Sequence, residues 1–164
     1  MLVISGGQSG ADIGGVVGAF SAGHSCLFIA FRGFKPQGRD SLPSVIPYKD
    51  AVMPEWAVSY PQMLLARTQH NVELADATVV FINTMHLKDS IGSRRTMEYA
   101  QKMQRPRLLL TLFGQSDVEP TASVLSEWVQ RVKPEILNIA GSRTCDEDLV
   151  SRITEKGLKQ CLTV

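Results

Sequence analysis

The run Ala77-Thr-Val-Val-Phe-Ile82, bracketed by Asp76 and Asn83, constrains the fold more than any other stretch of this chain. It shows no alternation of apolar and polar residues. A strand of that kind hides both of its faces, as central strands do in parallel sheets covered by helices on either side. Other apolar runs of strand length open at Leu2 and span Cys26–Phe31, Arg107–Phe113 and Glu135–Ala140. Segments of helical length lie between and after them, over residues 11–22, 63–74, 93–104, 121–132 and 146–160. Strands alternating with helices imply an α/β architecture. The expectation is one three-layer domain over residues 1–164, with a five-stranded, mainly parallel sheet and helices on both faces. A strand order 2-1-3-4-5 would put the ligand crevice between the first and third strands. Gly23 reads as a helix stop, Ser93 and Asp146 as helix caps, and Trp128 as core.

The first run ends in Ser5-Gly6-Gly7-Gln8-Ser9-Gly10, and a helix follows from about Ala11. This reads as strand, tight turn, helix. Glycines let such a turn visit positive φ and let another group approach the backbone. The helix points unpaired N–H groups and its positive dipole end at the turn, which suits an anion, most often phosphate. A tight connection without a ligand is the other reading.

Arg32, Lys35 and Arg39 follow the second strand, interleaved with Gly33, Pro36 and Gly38. Pro43, Pro47, Pro54 and Pro61 come after them, and prolines so spaced defeat a regular helix or a central strand. The stretch to about Tyr60 is therefore expected to be a long loop, either a lid bringing positive charge to a ligand or a solvated surface loop. Arg67 and Asn71 lie one helical turn apart and can act on one partner. After Asn83 comes a second strand–loop–helix junction. Gly92, Ser93, Arg94, Arg95 and Thr96 stand at its helix start and Lys88 in its loop. Arg143 follows the last strand.

The formal net charge is +1, which offers no broad electrostatic grip on nucleic acid or on a membrane surface. No apolar run approaches the roughly 18 residues of a spanning helix. Cys26, Cys145 and Cys161 are odd in number and far apart, which argues against a disulfide framework and for a reducing, cytoplasmic setting. His24, His70 and His86 stand at no metal-ligand spacing, so no metal site is expected.

Several segments resemble the molybdenum-cofactor carrier-like proteins, a circularly permuted, YpsA-like branch of the SLOG superfamily of Rossmann-like nucleotide binders. Ile4-Ser-Gly-Gly-Gln-Ser-Gly-Ala-Asp12 is similar to that family's SGGQTGAD signature, with Ser9 at the Thr position. Gly33–Arg39 resembles its GWxPKGR segment. Arg67-Thr68, Asn71-Val72 and Asp76-Ala-Thr78 resemble RTxxNVxDSDAT. Thr96–Ala100 is similar to TxExA, and Leu137–Arg143 to LNVAGPR. One departure stands at Ile91-Gly92-Ser93, where the family has Gly-Gly-Thr; Arg94 and Arg95 add charge beside it.

The resemblance implies a Rossmann-like fold, a small phosphorylated ligand and a homo-oligomer, dimer or tetramer. The first expectation is a binding protein for a nucleotide-like or pterin-like ligand: a molybdenum-cofactor carrier, or a sensor or sponge for a nucleotide signal. Gly6, Gly7, Gln8, Ser9 and Gly10 would hold one phosphate, and Gly92, Ser93 and Thr96 a second anionic group. Arg32, Lys35, Arg39, Arg67 and Arg143 would neutralise charge. The alternative is a nucleoside-monophosphate N-glycosidase resembling the Lonely Guy phosphoribohydrolases. That chemistry needs a carboxylate near the ribose, and Asp12 and Glu98 are the candidates. The Pro-Gly-Gly-x-Gly-Thr loop of those enzymes is absent.

Overall fold

The computed structural model describes residues 1–34, 46–84 and 90–161. In chain order the elements are β1 (Leu2–Ser5), α1 (Ala11–Ser21), β2 (Ser25–Ala30), β3 (Tyr48–Asp50), α2 (Tyr60–Leu74) and β4 (Ala77–Asn83). They continue with α3 (Ile91–Lys102), β5 (Arg107–Leu112), a 3₁₀ turn at Gln115–Asp117, α4 (Val118–Val132), β6 (Ile136–Gly141) and α5 (Glu147–Cys161). All strand pairs are parallel. Helices α1, α4 and α5 cover one face of the sheet over Val3, Phe28, Phe81, Leu137 and Ile139. On the other face, Ala75 at the end of α2 packs with Ile4 and Ile29, and α3 lies beside α2.

The sheet has six strands in the order β3-β2-β1-β6-β4-β5, which corrects the expected sheet in two respects. The stretch expected to be all loop supplies a short edge strand. Tyr48–Asp50 pairs with Phe28–Ala30, and the Phe28 amide donates to the Pro47 carbonyl. A proline at the mouth of an edge strand loses no ladder bond.

The second correction concerns β6, the last strand in sequence, which lies between β1 and β4 rather than at an edge. Leu137, Asn138 and Ile139 are at most 2% exposed, as a strand with neighbours on both sides and helices over both faces must be. The Asp76 carboxylate fixes its start by accepting from the Glu135 and Ile136 amides. The Ser5 hydroxyl ties β1 to the Ile139 carbonyl. β5 takes the open edge, and Arg107 and Leu109 on it are exposed.

Local signals explain the helix limits. α2 begins at Tyr60 because Ser59 and Gln62 form a reciprocal capping box, and Pro61 sits in the first turn, where its missing N–H is harmless. α3 begins before Ser93, which is a buried residue of its first turn and not its cap. α1 ends at Gly23 in the left-handed region, Asp146 caps α5 through the Leu149 amide, and Trp128 is buried.

Glycines set the closeness of α1 to its neighbours. A Cβ on Gly14 would stand 2.4 Å from the Glu147 carbonyl oxygen, and one on Gly18 2.2 Å from that of Ser151. A Cβ on Gly15 would stand 2.3 Å from Ile139 Cγ2. The helix thus seats directly on β6 and α5, and this fixes where the β1–α1 and β6–α5 turns meet.

Candidate functional site

Parallel strands gather their outgoing turns at one edge of the sheet. Here the β1–α1 turn, the β6–α5 turn, the start of α3 and one side of α2 surround a depression at that edge. It has two connected parts. A small inner pocket reaches down between α2 and α3 to Asn138 and Ala140 of β6. A larger outer cleft opens over it toward solvent. Gln8, Arg67, Thr68, Gly92 and Gly141 line both. The expected crevice between β1 and β4 therefore has β6 as its floor.

The opening turn is built differently from a bare phosphate cradle. Gly7 and Gly10 have φ near 80°, which only glycine adopts without strain. Gly6 is needed for another reason: a Cβ there would stand 2.1 Å from Arg67 Nη1. The space beside Gly6 is filled by the chain's own guanidinium. Arg67 donates from Nη1 to the Gly6 carbonyl at 2.7 Å and from Nη2 to Gln8 Oε1 at 3.0 Å. Its Cζ lies 5.9 Å from the centre of the Phe34 ring. Two amides of the turn already meet carboxylates. The Gln8 N–H donates to Asp12 Oδ2 at 3.2 Å, and the Gly10 N–H to Glu147 Oε1 at 3.0 Å. A Cβ on Gly10 would stand 2.5 Å from the Ser142 carbonyl oxygen, so this glycine also serves the contact between turns. Ser9 is partly exposed on the turn.

Asp12 is buried 3.9 Å from the Arg67 guanidinium. Burial pushes its carboxyl up to about 6, against the pull of Arg67 and of the Gln8 and Gly6 amides. Asn71, from the next turn of α2, and Asn138 are also buried and line the inner pocket. Thr96 reaches the pocket from α3, with its hydroxyl bonded to the Gly92 carbonyl at 2.9 Å.

The outer cleft carries the positive charge. Arg143 on the β6–α5 turn and Arg95 on α3 line it and are exposed. The first turn of α3 contains no acidic residue, and the Ser90 side chain does not cap the helix. Ser93 Oγ is buried at the cleft without a hydrogen-bond partner among the described residues. A Cβ on Gly92 would meet nothing within 4 Å, so that glycine leaves the helix mouth open.

The structure thus gathers Gly6, Gln8, Asp12, Arg67, Asn71, Gly92, Ser93, Thr96 and Arg143 around one depression. Arg32 and Arg94 are exposed and line neither part; Arg95 takes the place expected of Arg94. Lys35 and Arg39 lie outside the described residues. Glu98 is exposed on an adjoining groove with Tyr99 and Lys102, which shares Leu65, Thr68 and Arg95 with the outer cleft; it lines neither part of the depression beside Asp12. Sequence reasoning missed Asn138, Thr68, Ser142 and Thr144, all of which line the depression. Asn138 did leave a signal, as the one polar residue inside an apolar strand run.

The comparisons agree with this architecture. The model of the circularly permutated YpsA SLOG family matches residues 3–162, and the chain belongs to that family. The crystal structure of a "Putative molybdenum carrier protein" from Syntrophus aciditrophicus is similar to it, with a TM-score of 0.69 and 26% identity. That match covers 99% of this chain and 94% of the other. No curated protein matches. Among the described residues, no helix is long and apolar enough to cross a membrane.

Proposed function

We propose that this chain is a binding protein for a small phosphorylated ligand of nucleotide or pterin type, a carrier or sensor in the manner of a molybdenum-cofactor carrier. One observation carries the reading. The first turn of α3 holds Arg94 and no acid, and Arg95 follows directly, although a helix N-terminus disfavours cations. Arg143 stands on the same cleft. A phosphate there would meet the α3 amides, the Ser93 hydroxyl and the guanidinium groups of Arg95 and Arg143. The opening turn then acts as a wall, since Asp12 and Glu147 already take two of its amides.

The separation of Asp12 from Glu98 favours binding over glycoside cleavage, because no second carboxylate among the described residues lining the depression could share the work. Self-association belongs to the same reading. Val52, Trp56, Val58 and Tyr60, exposed on the approach to α2, offer an apolar surface for it.

The test is calorimetric titration with inorganic pyrophosphate at two salt concentrations. Affinity should fall with salt and drop about tenfold or more in Arg143→Ala, as expected for losing about 1.5–3 kcal/mol of charged hydrogen bonding. Equal heats for wild type, Arg143→Ala and Arg95→Ala would remove the phosphate from this cleft. Nucleoside monophosphates recovered intact after incubation are the expected result for a carrier or sensor; released base would favour the hydrolase.

A further inference from the structure

The inner pocket has an imbalance of hydrogen-bonding groups. Several of its side-chain donors are already engaged by the protein. Arg67 serves Gly6 and Gln8, the Thr96 hydroxyl serves the Gly92 carbonyl, and the Thr68 hydroxyl serves the Leu64 carbonyl at 3.0 Å. Its acceptors are not. The Asn71 amide nitrogen donates to the Ile29 carbonyl at 3.4 Å, and that of Asn138 to Thr78 Oγ1 at 3.5 Å. The Ile29 carbonyl can only accept, so it fixes the Asn71 carboxamide; the Asn138 carboxamide stands with its Nδ2 toward the Thr78 hydroxyl. Among the described residues both Oδ1 atoms are left buried without a partner, on side chains whose residues are 3% and 2% exposed. Buried acceptors in native proteins are nearly always met by a donor, so each orphan asks for one.

Charge narrows the choice. Asp12 and Arg67 face each other and balance. An added cation would meet the guanidinium, and an added anion would meet the carboxylate and two carboxamide oxygens. The occupant that fits is neutral and rich in N–H or O–H donors.

We infer that the inner pocket is a selectivity subsite that recognises the donor edge of the ligand, a neutral group presenting two adjacent N–H or O–H donors to Asn71 and Asn138. Two chemical sources carry such an edge. One is the aminopyrimidinone of guanine or a pterin, with a ring N–H beside an exocyclic amino group. The other is the cis-diol of a ribose. The inference rests on the proposed outer phosphate site for the ligand's direction: phosphate outward at α3, donor edge inward at β6.

Calorimetry with GMP, IMP and 2′-deoxy-GMP separates the two sources. IMP lacks only the exocyclic amino group, and 2′-deoxy-GMP lacks one hydroxyl of the diol. At least one of the two should bind tenfold or more weaker than GMP. Asn138→Ala should erase that discrimination while leaving pyrophosphate affinity within twofold of wild type. Pterin against lumazine, in which a carbonyl replaces the amino group, gives the same comparison without ribose or phosphate. Guanosine against inosine also tests the inner pocket if pyrophosphate fails to bind, so loss of the phosphate reading is distinguished from loss of this one. The ligand series needs no variant to fold. Equal affinities across all three pairs and for 2′-deoxy-GMP, no binding of any of these probes, or a preference that survives Asn138→Ala and Asn71→Ala, would overturn the inference.

Discussion

The Arg67 guanidinium donates to the Gly6 carbonyl oxygen at 2.7 Å and faces the Asp12 carboxylate at 3.9 Å, with all three groups buried. One side chain of α2 therefore holds the β1–α1 turn from behind. Removing it leaves an unpaired buried carboxylate, an unmet carbonyl and a void. Arg67→Ala should cost about 3–5 kcal/mol. Thermal unfolding should start from a midpoint lowered by roughly 6–20 °C, at about 2–4 °C per kcal/mol for a chain of this size. Arg67→Lys should recover only part, because an ammonium cannot reach the Gly6 carbonyl and Gln8 as a planar fork does. A midpoint within 2–3 °C of wild type in Arg67→Ala, about 1 kcal/mol at most, would show that the turn stands without it.

Gly6→Ala acts on the same pair from the other side, since its Cβ would stand 2.1 Å from Arg67 Nη1. The guanidinium must leave or the turn must move. Destabilisation of about 1–3 kcal/mol is expected. Combined with Arg67→Ala it should add less than the sum, because the clash has already gone. Denaturant unfolding of the two single variants and the double variant measures the coupling, and strict additivity would rule out the contact.

Asp12 makes stability depend on pH in the direction opposite to most carboxylates. Its folded value of about 6 lies above the unfolded 3.8 because burial penalises the charged form. The folded chain therefore binds more protons between those values, and stability falls as pH rises through them. The contribution is fully present below about 4 and lost above about 6. Asp12→Asn cannot titrate. Its stability relative to wild type should rise by on the order of 2–3 kcal/mol between pH 4 and pH 7. Parallel melting curves for the two proteins across that range would refute the assignment.

Parts of this architecture were legible because single residues carry them. The unbroken Ala77–Ile82 run forced a doubly covered sheet, and β4 is buried along nearly all of its length. The position of β6 was not legible, because chain order does not say which short run returns to the centre. That information sits in contacts distant in sequence, such as Asp76 with the Glu135 and Ile136 amides. β3 is too short, and too exposed on all its residues, to leave a periodic signal. At the site, glycines announced close approach without saying by what: Arg67 fills the space at Gly6. An arginine on a helix usually reads as solvated charge, and only tertiary structure reveals it buried. Asn138 was visible as a polar interruption, but its place in the floor of the inner pocket was not.

Close packing of α1 on α5 gives a prediction independent of any ligand. Gly18→Ala would push a methyl group to 2.2 Å from the Ser151 carbonyl oxygen, a backbone atom that can move only with its helix. Overpacking of this kind costs typically about 1–3 kcal/mol. The gain of about 1 kcal/mol that alanine brings over glycine in a helix does not offset the larger values. Gly18→Ala should melt lower than wild type, and Gly18→Val lower still. A rise in melting temperature would mean that the two helices are not in contact there.

Gly92 separates binding from stability most cleanly. It lies in the first turn of α3, at a φ outside the positive range that strains a side chain, and a Cβ there would meet no atom within 4 Å. Among the described residues nothing requires a glycine at this position. Alanine removes backbone freedom from the unfolded chain and should stabilise by about 0.4–1 kcal/mol. The added methyl group, however, would project beside Ser93 at the mouth shared by the inner pocket and the outer cleft. Gly92→Ala should therefore melt higher and bind pyrophosphate more weakly, and a larger residue such as Gly92→Leu should extend the second effect much further than the first. The opposing signs matter, because a variant that lost affinity by unfolding would lose both together. If Gly92→Leu keeps wild-type affinity, the anion does not approach through the start of α3, and the open backbone there has some other cause.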